Sequence, residues 1–157
     1  MGPLDVSHYK EAVGHFPTGV AVVTGRAGDG PAGFTCQSFG SLSLEPMMVC
    51  FGANLEGRSW RSMRDAGAVG VNVLAESQEA LARAFATPGI DKFAGVGWAP
   101  GPQGSPLLEG AIAHLEGRVV SSVVHGDHDL VVVAVDFAQC HPGRPLIYYR
   151  GGFTGLG

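Results

Sequence analysis

Two long valine-rich segments joined by one tight turn are the feature that most constrains how this chain can fold. Residues 113–124 and 129–140 are rich in valine and other apolar residues, and the turn of residues 125–128 between them contains a glycine and an aspartate. This pattern predicts two long strands that pair across the turn. The rest of the chain is therefore interpreted as elements that pack around a β-sheet.

Shorter strands and helices are predicted on either side of these two strands. Further strands are predicted in five segments: 19–24, 33–46, 47–52, 68–74 and 146–150. Helices are predicted in three segments: 6–16, 58–64 and 78–86. Asp5 or Ser7 can cap the first helix and Ser77 the third, because short polar side chains accept hydrogen bonds from free N–H groups at a helix start. Residues 87–106 are rich in glycine and proline and are interpreted as a long ordered loop.

The balance of these elements predicts the fold class. The prediction contains about seven strands and two or three short helices. Neighbouring strands are joined by short turns, which is typical of a mainly β, antiparallel domain. A barrel closes the edges of such a sheet most economically. The strands do not alternate regularly with helices, so a doubly wound parallel sheet is disfavoured. At 157 residues the chain is expected to form one domain over residues 1–157.

Charge and composition exclude some classes of partner. The net charge is −4 and lysines and arginines do not cluster in a run, so no nucleic-acid partner is expected. Charged residues make up only 15% of the chain, which is low for an isolated monomer. This low charge indicates that a partner subunit covers part of the surface.

Cysteine usage and hydropathy bear on the cellular compartment. Cys36, Cys50 and Cys140 are widely separated and odd in number, which favours neither a disulfide framework nor a zinc site and fits a reducing cytoplasm. The first residues lack a basic segment followed by an apolar one, so no signal peptide is expected. The longest apolar runs are too short to cross a bilayer, and no membrane association is predicted.

Several well-known catalytic motifs are absent from the sequence. The chain contains no dinucleotide-binding G-x-G-x-x-G between a strand and a helix, no phosphate-binding G-x-x-x-x-G-K-[ST] loop and no G-x-S-x-G nucleophile elbow. His125 and His128 flank a Gly-Asp turn without a second pair of ligands nearby in sequence. Solvent-exposed turn histidines are therefore favoured over a metal site.

The stretch of residues 33–46 carries an unusual number of hydroxyls for a segment that leads into a buried strand. Thr35, Ser38, Ser41 and Ser43 supply them. A hydroxyl-rich strand and turn beside a buried strand can offer O–H and backbone N–H groups to a polar planar ligand. The alternative is an edge strand with a solvated face, in which serine and threonine are ordinary residues.

Three other groups are suited to binding, and each has a plainer alternative. Arg58 and Ser59 at a helix start can hold a phosphate, or can simply be solvated. His128 can act as a donor at a pocket mouth, or can be an ordinary turn residue held by Asp127. Residues 148–153 combine aromatic faces, a cation and two glycines, which suits either a ligand or contact with a second subunit.

Taken together, these segments resemble the flavin reductase domain of two-component monooxygenase systems. The segments that carry the resemblance follow one another in order: 16–24, 33–46, 59–60, 71–74, 85–86, 92–96, Trp98, 126–128 and 145–153. They cover essentially residues 8–155.

The resemblance implies a fold, an activity and a set of site residues. The fold is an antiparallel, Greek-key split β-barrel with a few short peripheral helices, which binds FMN or FAD and normally forms a homodimer. The activity is reduction of the flavin by NADH or NADPH, after which the reduced flavin passes to a separate monooxygenase. The residues implied to contact the flavin are Thr35, Cys36, Gln37, Ser38, Phe39, Ser41, Leu42, Arg58, Ser59, Phe85 and Ala86. His128 is implied to meet the nicotinamide nucleotide as the catalytic residue, beside Tyr149, Arg150, Gly151 and Gly152.

A non-catalytic split barrel that binds flavin or haem, as a carrier or sensor, is the alternative. Segments 126–128 and 150–152 favour the reductase, because a protein that only binds its ligand does not need them. Hydride transfer between nicotinamide and flavin is carried out by the two cofactors, so the protein needs neither a nucleophile nor a metal. The missing motifs agree with that chemistry.

Overall fold

The two valine-rich segments form the longest strands in the computed structural model, which describes residues 2–157. The strands are β1 (Thr18–Gly19), β2 (Ala21–Ala27), β3 (Gly30–Cys36), β4 (Gly40–Leu44), β5 (Met47–Asn54), β6 (Ala68–Val73), β7 (Trp98–Pro100), β8 (Pro106–Leu108), β9 (Ala113–His125), β10 (His128–Cys140), β11 (Ile147–Tyr149) and β12 (Gly152–Thr154). The helices are α1 (Val6–Gly14), α2 (Arg58–Met63) and α3 (Glu79–Phe85), and short 3₁₀ turns cover Arg64–Ala66 and Glu76–Gln78.

Seven strands form one antiparallel sheet in the order β3-β2-β6-β9-β10-β5-β4. The pairing of β10 with β5 sets His128 opposite Asn54, and the pairing of β2 with β3 sets Thr24 opposite Gly33. Strands β1, β11 and β12 form a separate small sheet, and β7 pairs with β8. The prediction of a mainly β, antiparallel split barrel with a few short helices is confirmed, although the hydrogen-bonded ladder of the described residues does not close into a ring.

Two apolar clusters cover the two faces of the central strands. The larger cluster includes Val23, Phe51 and Trp60, and the smaller one includes Val22 and Phe85. Adjacent residues of β2 thus enter different clusters, because successive side chains of a strand point to opposite faces. This double burial explains the apolar run of residues 20–23, which includes the first half of β2. Burial of each large side chain contributes roughly 1.5–3 kcal/mol relative to exposure.

The helix boundaries correct two details of the prediction. Asp5 caps α1 by accepting a hydrogen bond from the His8 N–H at 2.8 Å, so Ser7 is not the cap. Ser77 does not cap α3, because it lies within a 3₁₀ turn and α3 begins after Gln78. The Gln78 side chain instead accepts a hydrogen bond from the Ala75 N–H at 2.9 Å. Among residues 2–157, no helix is long and apolar enough to cross a membrane.

Two predicted segments are more divided than expected. Residues 33–46 form parts of two strands, β3 and β4, which are separated by an irregular break at residues 37–39. The predicted loop at residues 87–106 contains the strand β7 and the start of β8, and Trp98 there packs edge-on against Phe93 with ring centroids 6.2 Å apart. Tertiary packing of this kind cannot be detected from glycine and proline content alone.

Candidate functional site

A cleft of about 1150 Å³ runs along β3, from Pro31 to Cys36. Its walls come from the turn before β3, the end of β5, the start of α2, the loop that follows α3, and His128. These elements are far apart in sequence, and the sheet order brings them together. The cleft is therefore assembled by the fold rather than by one motif.

Small residues keep the floor of the cleft open. A Cβ atom on Gly33 would approach the Val23 carbonyl oxygen to 2.9 Å, so only glycine fits between β2 and α3 at this point. A Cβ atom on Gly52 would lie 3.3 Å from the Ser38 Oγ and 3.5 Å from the His128 Cδ2. Ser38 and His128 thus both lie beside Gly52, which carries no side chain.

The hydroxyls and the thiol near β3 are engaged within the protein. The Thr35 Oγ1 donates to the Ala82 carbonyl at 2.6 Å, and the Ser38 Oγ accepts from the Gly52 N–H at 2.8 Å. The Cys36 Sγ lies 3.2 Å from the Ser38 Oγ. Burial raises the pKa of the Cys36 thiol, which keeps it protonated and unreactive. These groups shape the wall and do not supply a nucleophile.

Two cations border the cleft near the start of α2. Arg58 is the first residue of α2 and lines the cleft. The Lys92 Nζ donates to the Ser59 Oγ at 3.0 Å and to the Gly33 carbonyl oxygen at 3.2 Å. Burial lowers the pKa of Lys92 from the ordinary lysine value. A cation held by neutral acceptors remains able to attract a further, negatively charged ligand.

His128 stands at another part of the cleft, at the first residue of β10. Its Nδ1 lies 2.8 Å from the Asp127 Oδ1, and the hydrogen bond from His128 holds the pKa of Asp127 below its usual range. An ionised carboxylate only accepts hydrogen bonds, so the Nδ1 carries a proton. The hydrogen bond from the Nδ1 to Asp127 therefore fixes the orientation of the imidazole ring.

Nine of the residues predicted for the site line this cleft: Thr35, Cys36, Gln37, Ser38, Arg58, Ser59, Phe85, Ala86 and His128. Phe39 packs partly buried against the larger apolar cluster, while Ser41 and Leu42 lie on the edge strand β4. Tyr149, Arg150, Gly151 and Gly152 lie in and between β11 and β12 of the small sheet. They do not line the cleft of a single chain, and the backbone N–H of Arg150 is bonded instead to the Gly14 carbonyl at 2.9 Å.

The sequence prediction of the site missed several residues that line the cleft. Lys92 is the most prominent, because its ammonium group contacts both Ser59 and Gly33. Gly52 and Asn54 at the end of β5 are two others. Lys92 belongs to a segment that contributed to the family resemblance, which was the available signal. Among residues 2–157, no group of three or more His, Cys, Asp or Glu side chains is placed to hold a metal ion.

Comparisons with known proteins agree with this architecture. The reductase subunit HsaB of a flavin-dependent monooxygenase from Mycobacterium tuberculosis is 40% identical over 156 residues, which span 98% of this chain and 83% of that protein. A nitrilotriacetate monooxygenase component B homologue from Mycobacterium thermoresistibile superimposes with a TM-score of 0.92 at 37% identity, covering 96% of this chain and 86% of that one. The Streptomyces globisporus NADH:FAD oxidoreductase SgcE6, in complex with NAD and FAD fragments, gives a TM-score of 0.92 at 34% identity over 100% of this chain and 96% of that one.

The family model agrees with these pairwise similarities. The model described as the flavin reductase like domain matches residues 13–157, which is nearly the entire chain. This range includes all of the elements that form the cleft, from β2 to β10. The protein therefore belongs to the flavin reductase like domain family.

Proposed function

We propose that this protein is an NAD(P)H:flavin oxidoreductase, which reduces FMN or FAD and supplies the reduced flavin to a separate monooxygenase. The observation that carries the proposal is the cleft along β3, which combines an open floor with cations beside it. Membership of the flavin reductase like domain family supports the same reaction class. The names of the similar reductase subunits support a monooxygenase partner.

The residues present fit a flavin nucleotide. A single small-molecule site usually occupies roughly 300–1,000 Å³, and the cleft of about 1150 Å³ leaves space for two planar ring systems. The absence of a side chain at Gly52 lets rings lie close to the backbone, since a Cβ there would meet Ser38 and His128. Arg58 and Lys92 match the negative charge of a phosphate.

Within this proposal, the bound flavin and nicotinamide supply the hydride transfer between nicotinamide C4 and flavin N5. The chain holds the two rings at reacting distance, which can lower a barrier by about 7–11 kcal/mol in ideal intramolecular models. Thr35, Cys36, Gln37 and Ser38 form the wall for the flavin, together with Phe85 and Ala86. Arg58, Ser59 and Lys92 hold the phosphate, and His128 orients the nicotinamide nucleotide.

We also propose that the protein forms a homodimer. No residue of α1 is buried, although Tyr9 and Val13 of that helix are large and apolar. Phe16, just after the helix, leaves 75% of its surface exposed. Contiguous exposed apolar residues are typical of protein–protein interfaces.

The three free cysteines fit a reducing cytoplasm, which we propose as the compartment of this protein.

Steady-state oxidation of NADH and of NADPH, with FMN, FAD or riboflavin added in turn, tests the proposed activity. We expect nucleotide oxidation that depends on added flavin, and transfer of the reduced flavin to a monooxygenase mixed with the reductase. The absence of flavin-dependent turnover with both nucleotides would contradict the proposal. A tightly bound chromophore that is not bleached by either nucleotide would favour a carrier or sensor instead.

A further inference from the structure

Asp129, which follows the cleft residue His128, carries a buried carboxylate that no predicted role explains. The residue is only 3% exposed, and its Oδ2 accepts a hydrogen bond from the Trp60 Nε1 at 2.7 Å. The Arg64 Nη1 lies 4.0 Å from the same oxygen. A buried carboxylate is costly unless it is paired and hydrogen-bonded. The contact with Trp60 also satisfies the indole N–H, which is buried as well.

Trp60 is a main anchor of α2. This helix has only six residues, and its N-cap Gly57 provides no side-chain hydrogen bond. Isolated helices of fewer than about 12 residues are marginal in water, so α2 depends on tertiary contacts for its position. Its buried residues are Trp60 and Met63. The Trp60 ring packs edge-on against Phe34 and Phe51, with centroids 6.3 and 5.8 Å apart.

The hydrogen bond between Asp129 and Trp60 therefore joins two sides of the cleft. Arg58 and Ser59 precede Trp60 on α2, and both line the cleft. His128 precedes Asp129 on β10 and lines it from another element. Release of this bond would free α2 to shift relative to β10, and with it the residues proposed to bind phosphate. A displacement of about 1 Å at such a site can change the rate by about 100-fold.

We propose that Asp129 is a positioning residue of the flavin site, which acts through Trp60 to hold Arg58 and Ser59 at a fixed place relative to His128. This inference rests on the proposed function, since it concerns binding of the flavin phosphate. Asp129 itself does not line the cleft. Its effect is specific to ligands that carry a phosphate, because α2 contributes the cation and the hydroxyl at that end of the cleft.

A second buried carboxylate provides a matched control. Glu116 is 1% exposed and accepts the backbone N–H groups of Gln103 and Ser105, each at 2.8 Å. Neither Glu116 nor the turn that it holds lines the cleft. Glu116→Gln therefore perturbs a buried carboxylate without disturbing α2. If Asp129 had a purely structural role, substitutions at Asp129 and at Glu116 would have the same effect on the Kd of FMN.

The experiment measures the Kd of FMN and of riboflavin by flavin fluorescence, together with the Tm, for the wild type and five variants. They are Asp129→Ala, Asp129→Asn, Trp60→Phe, the double variant Asp129→Ala with Trp60→Phe, and Glu116→Gln. We expect Asp129→Ala and Trp60→Phe each to raise the Kd of FMN about tenfold, and the double variant to be no weaker than the weaker single one, because both lose the same bond. Asp129→Asn recovers most of the affinity, since its amide oxygen still accepts from Trp60. The Kd of riboflavin should change by less than about twofold in every variant, and so should the Kd of FMN in Glu116→Gln.

The outcomes separate this inference from the proposed function. If the wild type binds neither FMN nor FAD, the proposed function itself is wrong. If the wild type binds FMN and both single variants do so equally well, or if FMN and riboflavin weaken in parallel, Asp129 is not a positioning residue for the phosphate. Multiplicative effects in the double variant would also overturn it. If Asp129→Ala does not fold, the Kd of FMN in Trp60→Phe is compared with that in Asp129→Asn. A higher Kd in Trp60→Phe than in Asp129→Asn supports the inference, and equal Kd values contradict it.

Discussion

The ammonium group of Lys92 lies 3.0 Å from the Ser59 Oγ and 3.2 Å from the Gly33 carbonyl oxygen, so one side chain connects α2, β3 and the loop that follows α3. Both acceptors are neutral, and the charge of Lys92 is therefore not cancelled by its partners. A lysine ammonium has three donors, and two of them are used by these contacts. The third is available to a phosphate in the cleft.

Lys92→Met should weaken binding of ligands that carry a phosphate. We expect the Kd of FMN to rise about tenfold, because a charge-assisted hydrogen bond contributes roughly 1.5–3 kcal/mol. Riboflavin, which lacks the phosphate, should change much less. Fluorescence titration of both flavins measures the effect, and Lys10→Met on the exposed helix α1 is the matched control. An equal loss of affinity for FMN and riboflavin would argue against contact of Lys92 with the phosphate.

The affinity for FMN should also depend on pH through Lys92. Burial lowers the pKa of this lysine, so it loses its proton at a lower pH than an exposed lysine does. FMN binding should therefore weaken as the pH rises through that lowered pKa, and riboflavin binding should not. Between the lowered pKa of the folded state and the ordinary lysine pKa of the unfolded state, Lys92 binds more protons in the unfolded chain. In this pH range Lys92 therefore makes folding stability rise with pH. Lys92→Arg should remove the loss of FMN affinity at alkaline pH. If FMN affinity in this variant depends on pH as in the wild type, the loss is due to another group.

The fold was predictable where one segment carries its own signal. The apolar run of β2, the long hairpin of β9 and β10, and the polar helix that starts at Arg58 are all visible in the sequence. Lys92 was not predicted as a site residue, because its role comes from contacts with Ser59 and Gly33 that are 33 and 59 residues away in sequence. Sequence spacing contains no information about such contacts.

The segment near the end of the chain that was predicted for the site does not lie in the cleft of one chain. The segment from Tyr149 to Gly152 has the aromatic, cationic and glycine character of a ligand site, yet it folds into a small sheet outside the cleft of one chain. Positive φ angles of 50° at Arg150 and 77° at Gly151 form the tight turn between β11 and β12, and this local demand accounts for Gly151. Composition alone does not distinguish a turn from a binding loop.

His128→Ala should affect the nicotinamide nucleotide more than the flavin. His128 is oriented by Asp127 through its Nδ1, which leaves the Nε2 side of the ring to face a ligand. We expect the KM for NADH or NADPH to rise about tenfold with the loss of one hydrogen bond to a charged group, while the Kd of FMN changes little. His125→Ala is the control, because His125 is the strand partner of His128 and does not line the cleft. An unchanged KM and kcat would remove His128 from the site.

Gly52→Val should obstruct the cleft without unfolding the protein. Even a Cβ at this position would lie 3.3 Å from the Ser38 Oγ and 3.5 Å from the His128 Cδ2, so the larger side chain must displace them or enter the cleft. We expect kcat/KM to fall about 100-fold, as displacements of about 1 Å can produce. Gly40→Val on the adjacent strand β4 is the control, since nothing lies within 4 Å of its Cβ position. Equal activities of the two variants would place the reacting rings away from Gly52.

The exposed apolar residues at α1 should control the oligomeric state. Phe16 is 75% exposed and Val13 is 55% exposed, and both are expected to contact a second copy of the chain. Light scattering coupled to gel filtration should give the wild type a mass of twice the 16.2 kDa chain. Phe16→Asp and Val13→Asp should each shift the protein towards the monomer, because they place a charge in an apolar interface. Leu156→Asp makes the same change at another exposed apolar position, and we expect it to leave the dimer intact. A wild type that is monomeric, or α1 variants that remain dimeric, would contradict an interface at α1.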